Sequence, residues 1–263
     1  MSLSIILVCI LNFLITLIGT LAYSVRIVGI RTGKIAVSSA LFNAIALISR
    51  TAYAFQLPIL TKFVDKSENT GNLIFIFNTI LGVICVASIA GAFLLPTFQR
   101  VFVKAVDSFS LEKSFFKLVM HSFSKSGVKY LKNSVAIPTK NNFRGISLKK
   151  MPKKILLFNA IIVALLTAGI FSPIYAGVLE PELSATCMTL SAVITGLAAI
   201  LSALFVDPYL SVATDEVIDG KYSEADFRGC IIGMVGSKII GSVLSFAVFI
   251  PASYAIAFIA RVI

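Results

Sequence analysis

Six apolar stretches, each long enough to cross a lipid bilayer as a helix, take up most of this chain. A helix needs about 20 residues to cross the hydrocarbon layer. Only 13% of the 263 residues are charged and 58% are hydrophobic, whereas about a quarter of a soluble domain is charged. We therefore predict an all-α, polytopic membrane protein with six transmembrane helices. They cover roughly Leu3–Val25, Ile35–Leu57, Leu73–Leu95, Ile155–Val178, Ser184–Val206 and Cys230–Phe258.

The positive charge is concentrated in one segment. Arg100–Lys154 contains 13 of the 23 Lys and Arg residues and only two acids. Basic loops stay in the cytoplasm, so this segment is predicted to be cytoplasmic, with the Arg26–Lys34 loop on the same side and both termini outside. The basic excess favours anionic membrane lipids as partners rather than nucleic acid, for which the chain offers no soluble domain.

Four phenylalanines recur every seven residues after the third apolar stretch, at Phe102, Phe109, Phe116 and Phe123. This spacing predicts an amphipathic helix that lies in the membrane interface, followed by a polar, basic loop. The chain then divides into a three-helix half (1–96), this cytoplasmic segment (97–154) and a second three-helix half (155–263). The segment either captures an anionic headgroup or only anchors the topology.

The two halves resemble each other weakly. Pro58–Asp65 and Pro208–Asp215 share the pattern Pro-x-Leu-Ser/Thr-x-x-x-Asp after the second and fifth apolar stretches. Because each half has an odd number of spans, a repeat would insert in opposite orientations, an architecture common among secondary transporters. The alternative is an ordinary six-helix bundle.

Small residues recur at every fourth position in the fourth and sixth stretches. Such ladders let transmembrane helices approach closely, so they predict helix contact faces or a dimer seam. The ladders are Ala160, Ala164, Ala168, Ser172 and Ala176, and Gly233, Ser237, Gly241 and Ser245.

Cations at membrane depth are the strongest functional signal. Arg50 lies inside the second apolar stretch and Lys238 inside the sixth, where Asp207 is a candidate for neutralising it. Intramembrane charges are costly and by default indicate a functional site, although Arg50 would also be explained by snorkelling or a structural ion pair. A diphosphate would suit these cations, since Arg binds phosphate oxygens with two parallel hydrogen bonds. Further cations gather at the cytoplasmic mouth: Arg26, Arg31 and Lys34.

Motifs of soluble enzymes are missing from the sequence. There is no HExxH, GxSxG or Walker A motif, and the four cysteines have no histidine partners. The acidic cluster that contains Asp215 departs from the lipid phosphotransferase pattern and is more simply an ion-pair partner for Arg228 or Lys221. We therefore predict neither catalytic residues nor a metal or cofactor.

The run Thr20–Thr51, followed by Pro58 and Asp65, resembles the Amj family of bacterial lipid II flippases. The resemblance implies movement of lipid II, the undecaprenyl-diphosphate-linked disaccharide pentapeptide, from the inner to the outer leaflet of the cytoplasmic membrane. It also implies that Tyr23, Arg26, Arg31, Lys34 and Arg50 belong to the family signature.

The residues and the resemblance together suggest a mechanism. Arg26, Arg31 and Lys34 capture the diphosphate, Arg50 holds it at depth, and rocking of the halves exposes it outside. Other candidates for the site are Lys238 and Tyr23 as substrate contacts, and Asp65, Asp207 and Asp215 as gating or ion-pair residues.

Two other classes of function stay open. An insertase for membrane proteins can also use an arginine in a groove, and a small-solute or ion transporter would work independently of polyprenyl lipids. Six helices are a small body for so large a headgroup, which makes a homodimer a further hypothesis.

Overall fold

Six long helices make up nearly all of the part of the chain that the computed structural model describes, residues 3–66, 70–112, 133–136 and 152–263. Each is long and apolar enough to cross a bilayer, and the described residues contain no strand. The prediction of an all-α protein with six spans is therefore confirmed. The helices are α1 (Leu3–Thr32), α2 (Ile35–Asp65), α3 (Thr70–Glu112), α4 (Lys153–Leu179), α5 (Pro181–Ile218) and α6 (Glu224–Val262).

The helices extend beyond the apolar stretches, and two predicted loops are wrong in part. Arg26 and Arg31 belong to the last turns of α1 rather than to a loop, and the chain turns only at Gly33, whose φ of 66° favours glycine. The α2 helix continues through Pro58 to Asp65. Polar residues beyond an apolar run therefore do not end these helices.

The segment predicted as a separate interfacial helix begins inside α3, which runs without a break from Thr70 to Glu112, and its position relative to the membrane stays a prediction. Its Phe face is covered by protein: Phe102 and Val106 are buried against Val25 and Val28 of α1 and Leu41 of α2. The boundary predicted after Pro96 falls inside this helix. Phe116 and Phe123 lie outside the described residues.

The α5 helix changes its winding near its end. A π-helical turn, Ser202–Val206, precedes Asp207 and Pro208. Pro208 has no N–H to donate to the preceding turn, and a wider turn accommodates the missing hydrogen bond. The final segment, Asp207–Ile218, then directs polar side chains toward α1.

Two clusters of buried side chains lie at opposite ends of the bundle. One joins α1, α2, α3, α4 and α6 around Phe77, Phe171 and Phe249. The other joins α1, α4, α5 and α6 around Ile162 and Phe227. The second lies at the end that carries Arg26, Arg31, Lys34 and the start of α4, which we call the basic end.

The small-residue ladders form the closest helix contact. A Cβ added at Gly241 of α6 would lie 2.5 Å from the carbonyl oxygen of Ala160 in α4, and the hydroxyl of Ser172 donates to the carbonyl of Phe249 at 3.0 Å. The predicted contact faces on α4 and α6 are confirmed.

The two halves are packed alike. In each, the first helix packs most closely against the third and also against the second, while the second and third touch little. Pro58–Asp65 and Pro208–Asp215 are helical in both halves. The inverted repeat itself stays a prediction.

Substitution of Gly241 by Ala should destabilise the fold. The added methyl would meet Ala160 and also the Cβ of Val163 at 2.8 Å, and such overpacking costs about 1–3 kcal/mol. The free energy of unfolding in mixed detergent micelles measures the effect.

Gly82→Ala is the matched control, because a Cβ at Gly82 of α3 meets nothing within 4 Å. It should be neutral or slightly stabilising. Equal stability of the two variants would contradict the close α4–α6 contact.

Candidate functional site

Ion pairs join different helices at the basic end of the bundle. Lys34 Nζ lies 2.8 Å from Asp107 Oδ1, which ties the start of α2 to α3. Arg31 Nε lies 2.8 Å from Glu224 Oε1, which ties α1 to α6, and Arg31 Nη1 donates to Gln99 Oε1 of α3 at 3.2 Å. Two predicted cations therefore already bind carboxylates.

Arg26 faces α5. Its Nη1 donates to Ser211 Oγ at 3.1 Å, and Asp207 and Asp215 lie close enough to interact electrostatically with its guanidinium. The structure thus brings two of the predicted ion-pair candidates to Arg26. It does not bring Asp207 to Lys238, and no carboxylate among the described residues forms an ion pair with Lys238.

Lys238 lies inside the bundle between α1 and α6. Its Nζ donates to the carbonyl of Thr16 at 3.4 Å and lies 5.9 Å from the centre of the Tyr23 ring. A Cβ at Gly19 would be 3.1 Å from the same Nζ. A backbone carbonyl and an aromatic face both stabilise a cation, and the structure thus brings together two predicted site residues, Lys238 and Tyr23.

A hydrogen-bonded network continues from Tyr23 into α4 and α6. The Tyr23 hydroxyl donates to Asn159 Oδ1 at 3.0 Å. Asn159 Nδ2 donates to the carbonyl of Met234 at 3.1 Å and to Ser237 Oγ at 2.7 Å. The amide is therefore satisfied on both sides, which fixes α1, α4 and α6 together beside the ammonium.

Arg50 and Asp65 lie elsewhere on α2. Arg50 is in the helix, but its side chain is outside the described part of the structure. Tyr53, one turn further on, lines a cavity of about 420 Å³ between α2, α4 and α5. Asp65 is exposed in the last turn, at the end opposite the basic end.

Three residues that take part in this site were missed from the sequence. Gln99, Ser211 and Glu224 bind the predicted arginines but are separated from them by 68, 185 and 193 positions. The sequence around Glu224 indicates only an acidic residue in the first turn of a helix, after the N-cap Ser223. It does not indicate which residue Glu224 pairs with.

The arrangement is suited to holding anions rather than to catalysis. The side chains that converge include guanidinium, ammonium, amide and hydroxyl groups, which can donate hydrogen bonds to phosphate oxygens, and the carboxylates that now pair with the cations. Within the described residues, no group of three or more His, Cys, Asp or Glu could hold a metal ion.

Comparison with known proteins gives the family. The family model "Amj: Alternate to MurJ" matches residues 11–260. The chain belongs to the Amj family. The resemblance predicted from Thr20–Thr51 is thereby confirmed and extends over nearly the whole length of this multi-pass membrane protein.

A curated member of the Amj family is similar along both chains. The protein described as "Lipid II flippase Amj" from Bacillus subtilis (strain 168) is 33% identical over 256 residues, covering 94% of this chain and 93% of the relative. No solved structure matches this chain.

The pair of Arg31 and Glu224 should contribute little to stability. Their side chains are 33% and 45% exposed, and pairs in such settings typically contribute about 0.2–1 kcal/mol. The measurement is a double-mutant cycle of unfolding free energies for wild type, Arg31→Gln, Glu224→Gln and the double variant. A coupling of about 3 kcal/mol or more, typical of a buried pair, would show that Arg31 is mainly structural.

Proposed function

We propose that this protein moves lipid II from the inner to the outer leaflet of the bacterial cytoplasmic membrane and performs no chemical step. The observation that carries the proposal is the 33% identity, over 94% of the chain, to a protein described as a lipid II flippase. The six membrane-spanning helices are what such a transporter requires.

The basic end faces the cytoplasm in this proposal, and both termini are extracytoplasmic. Arg26, Arg31 and Lys34 lie there with the start of α4, and the basic segment 100–154 joins α3 to α4 on the same side. Basic residues are retained on the cytoplasmic side. In this orientation the cations lie beside the inner leaflet, from which lipid II is taken, next to the anionic lipids of that leaflet.

Capture of the diphosphate proceeds by exchange of partners. Arg31, Lys34 and Arg26 each face carboxylates of other helices. A diphosphate offers oxygens in the same geometry and more charge than one carboxylate, so it displaces them. Because the displaced carboxylates belong to α3, α5 and α6, capture loosens the contacts that hold the cytoplasmic ends together.

Cations at depth then lower the cost of moving the diphosphate through hydrocarbon. Lys238 lies about 15 Å beyond Arg228 along α6, at 1.5 Å per residue. Its ammonium has three N–H donors; among the described residues it contacts the carbonyl of Thr16 and the ring of Tyr23. Arg50 supplies a second positive charge from α2. Asp65, at the far end of that helix, is a gating or ion-pair residue at the outer end of the transport path.

Rocking of the two halves completes the transfer. An inverted repeat would supply two related conformations. An inside-negative potential favours outward movement of an anion by about 2.3 kcal/mol per charge per 100 mV, so the proposed transport needs no nucleotide. A homodimer would enlarge the transport path for the disaccharide pentapeptide.

Lipid II flipping in proteoliposomes tests the proposal. Wild type should flip, Arg50→Ala should reduce the rate about tenfold or more, and Arg50→Lys should restore part of it, because a lost charge-assisted contact costs about 1.5–3 kcal/mol. Lys62→Ala is the control, since Lys62 is an exposed cation at the far end of the same helix.

Failure of folded wild type to flip lipid II, with and without a membrane potential, would contradict the proposed function. The insertase and solute-transporter hypotheses would then take its place. If Arg50→Ala instead flips lipid II at the wild-type rate, only the proposed role of Arg50 in the transport path is contradicted.

A further inference from the structure

An apolar groove lies between α3 and α6, outside the set of residues predicted from the sequence. Its volume is about 350 Å³, and Ile27 of α1 closes its base. Phe93 and Pro96 on α3 face Ile232, Val235 and Ile239 on α6 across it. The side chains of Gln99 and Arg228 are polar, and both lie at the basic end of the groove.

A polar pocket adjoins that end. It has a volume of about 420 Å³ and is lined by Arg31, Arg100, Val103, Asn133 and Ser134, together with Gln99. Gln99 thus belongs to both cavities. The apolar groove and a polar pocket lined by two arginines therefore meet at the Gln99 side chain.

The groove has the length and the opening that a lipid chain needs. From Arg228 to Ile239 it extends about 16 Å along α6, close to half of the hydrocarbon thickness of about 30 Å. Phe93 is 60% exposed and Ile89, beside it, is 42% exposed. A chain can therefore enter sideways from one leaflet.

We propose that the groove and the pocket together form the capture site for a polyprenyl diphosphate: the first isoprene units lie in the groove, and the diphosphate binds Arg31, Arg100 and Arg228. This inference rests on the proposed function and adds the tail of the substrate to it. Arg100, Arg228 and Gln99 become binding residues.

Charge at the polar end favours this occupant over an ordinary phospholipid. Arg31 and Arg100 line the polar pocket and Arg228 lines the adjoining end of the groove, while the first turn of α6 carries the carboxylates Glu224 and Asp226. A diphosphate can bridge several guanidinium groups with paired hydrogen bonds, whereas a phosphodiester carries one charge. A second copy of the chain is a less suitable occupant of the groove, because it would need an acidic surface to pair with these arginines.

The gap at Gly236 makes the groove testable. Gly236 lines the groove, and a Cβ there meets nothing within 4 Å. The Cβ of Gly236→Leu would therefore meet no neighbouring atom, and the rest of the side chain would project into the groove. Gly82→Leu is the matched control, because Gly82 is an equally open glycine on α3 that does not line the groove.

Equilibrium binding to the purified full chain in detergent uses three probes: undecaprenyl diphosphate, undecaprenol and inorganic diphosphate. Gly236→Leu should weaken binding of undecaprenyl diphosphate about tenfold, the effect of losing about two buried methylenes, and leave inorganic diphosphate unchanged. Arg228→Gln should weaken both diphosphates and leave undecaprenol unchanged. Gly82→Leu should match wild type throughout.

Equal affinity of Gly236→Leu and wild type for undecaprenyl diphosphate would overturn the inference. So would displacement of that lipid by an equal concentration of phosphatidylglycerol, which would assign the groove to bulk lipid. Flipping assays on the same proteins separate the two proposals. If wild type flips lipid II but Gly236→Leu binds undecaprenyl diphosphate as tightly as wild type, only the capture site is contradicted. If Gly236→Leu binds that lipid more weakly but wild type does not flip lipid II, only the transport function is contradicted.

Discussion

An ammonium group inside an apolar bundle is the constraint on which the rest of this structure depends. Lys238 can be charged at that depth only if polar atoms surround it, and the carbonyl of Thr16 and the ring of Tyr23 supply them. Tyr23 is in turn held by Asn159. These groups come from α1, α4 and α6. Of the three, α4 and α6 also approach each other closely, through Gly241 and the small residues of α4, while α1 packs mainly against α2 and α3. The buried ammonium and its polar partners thus join α1 to the closely packed α4–α6 pair.

In the proposed mechanism the cations at the basic end serve two purposes. Arg31 and Lys34 each pair with a carboxylate on another helix, so they hold the ends of the helices together. The same groups are the donors that a diphosphate would recruit. Shared side chains would therefore link anion binding to opening in this mechanism, and Gln99, which accepts a hydrogen bond from Arg31, also lines the groove between α3 and α6.

The sequence predicted the spans and the contact faces, because both depend on local composition or spacing, while the role of the cations stays a prediction. It failed where a partner had to be known. The seven-residue repeat of Phe102 and Phe109 indicates a helix face, but not that α1 and α2 cover it. The partner of Arg31 lies 193 positions away, and the groove is formed by side chains of α3 and α6, which are far apart in sequence. Asp207 was expected to pair with Lys238 but interacts electrostatically with Arg26, near the end of α1.

The most direct test of the account is the rate of lipid II flipping by Lys238→Met in proteoliposomes with an imposed inside-negative potential. Methionine keeps the length and apolar stem of the side chain but removes its charge. The account predicts a loss of about tenfold or more in rate, as expected for one charge-assisted contact in the path, with the unfolding midpoint close to that of wild type. A folded Lys238→Met protein that flips at the wild-type rate, with the same dependence on potential, would contradict it.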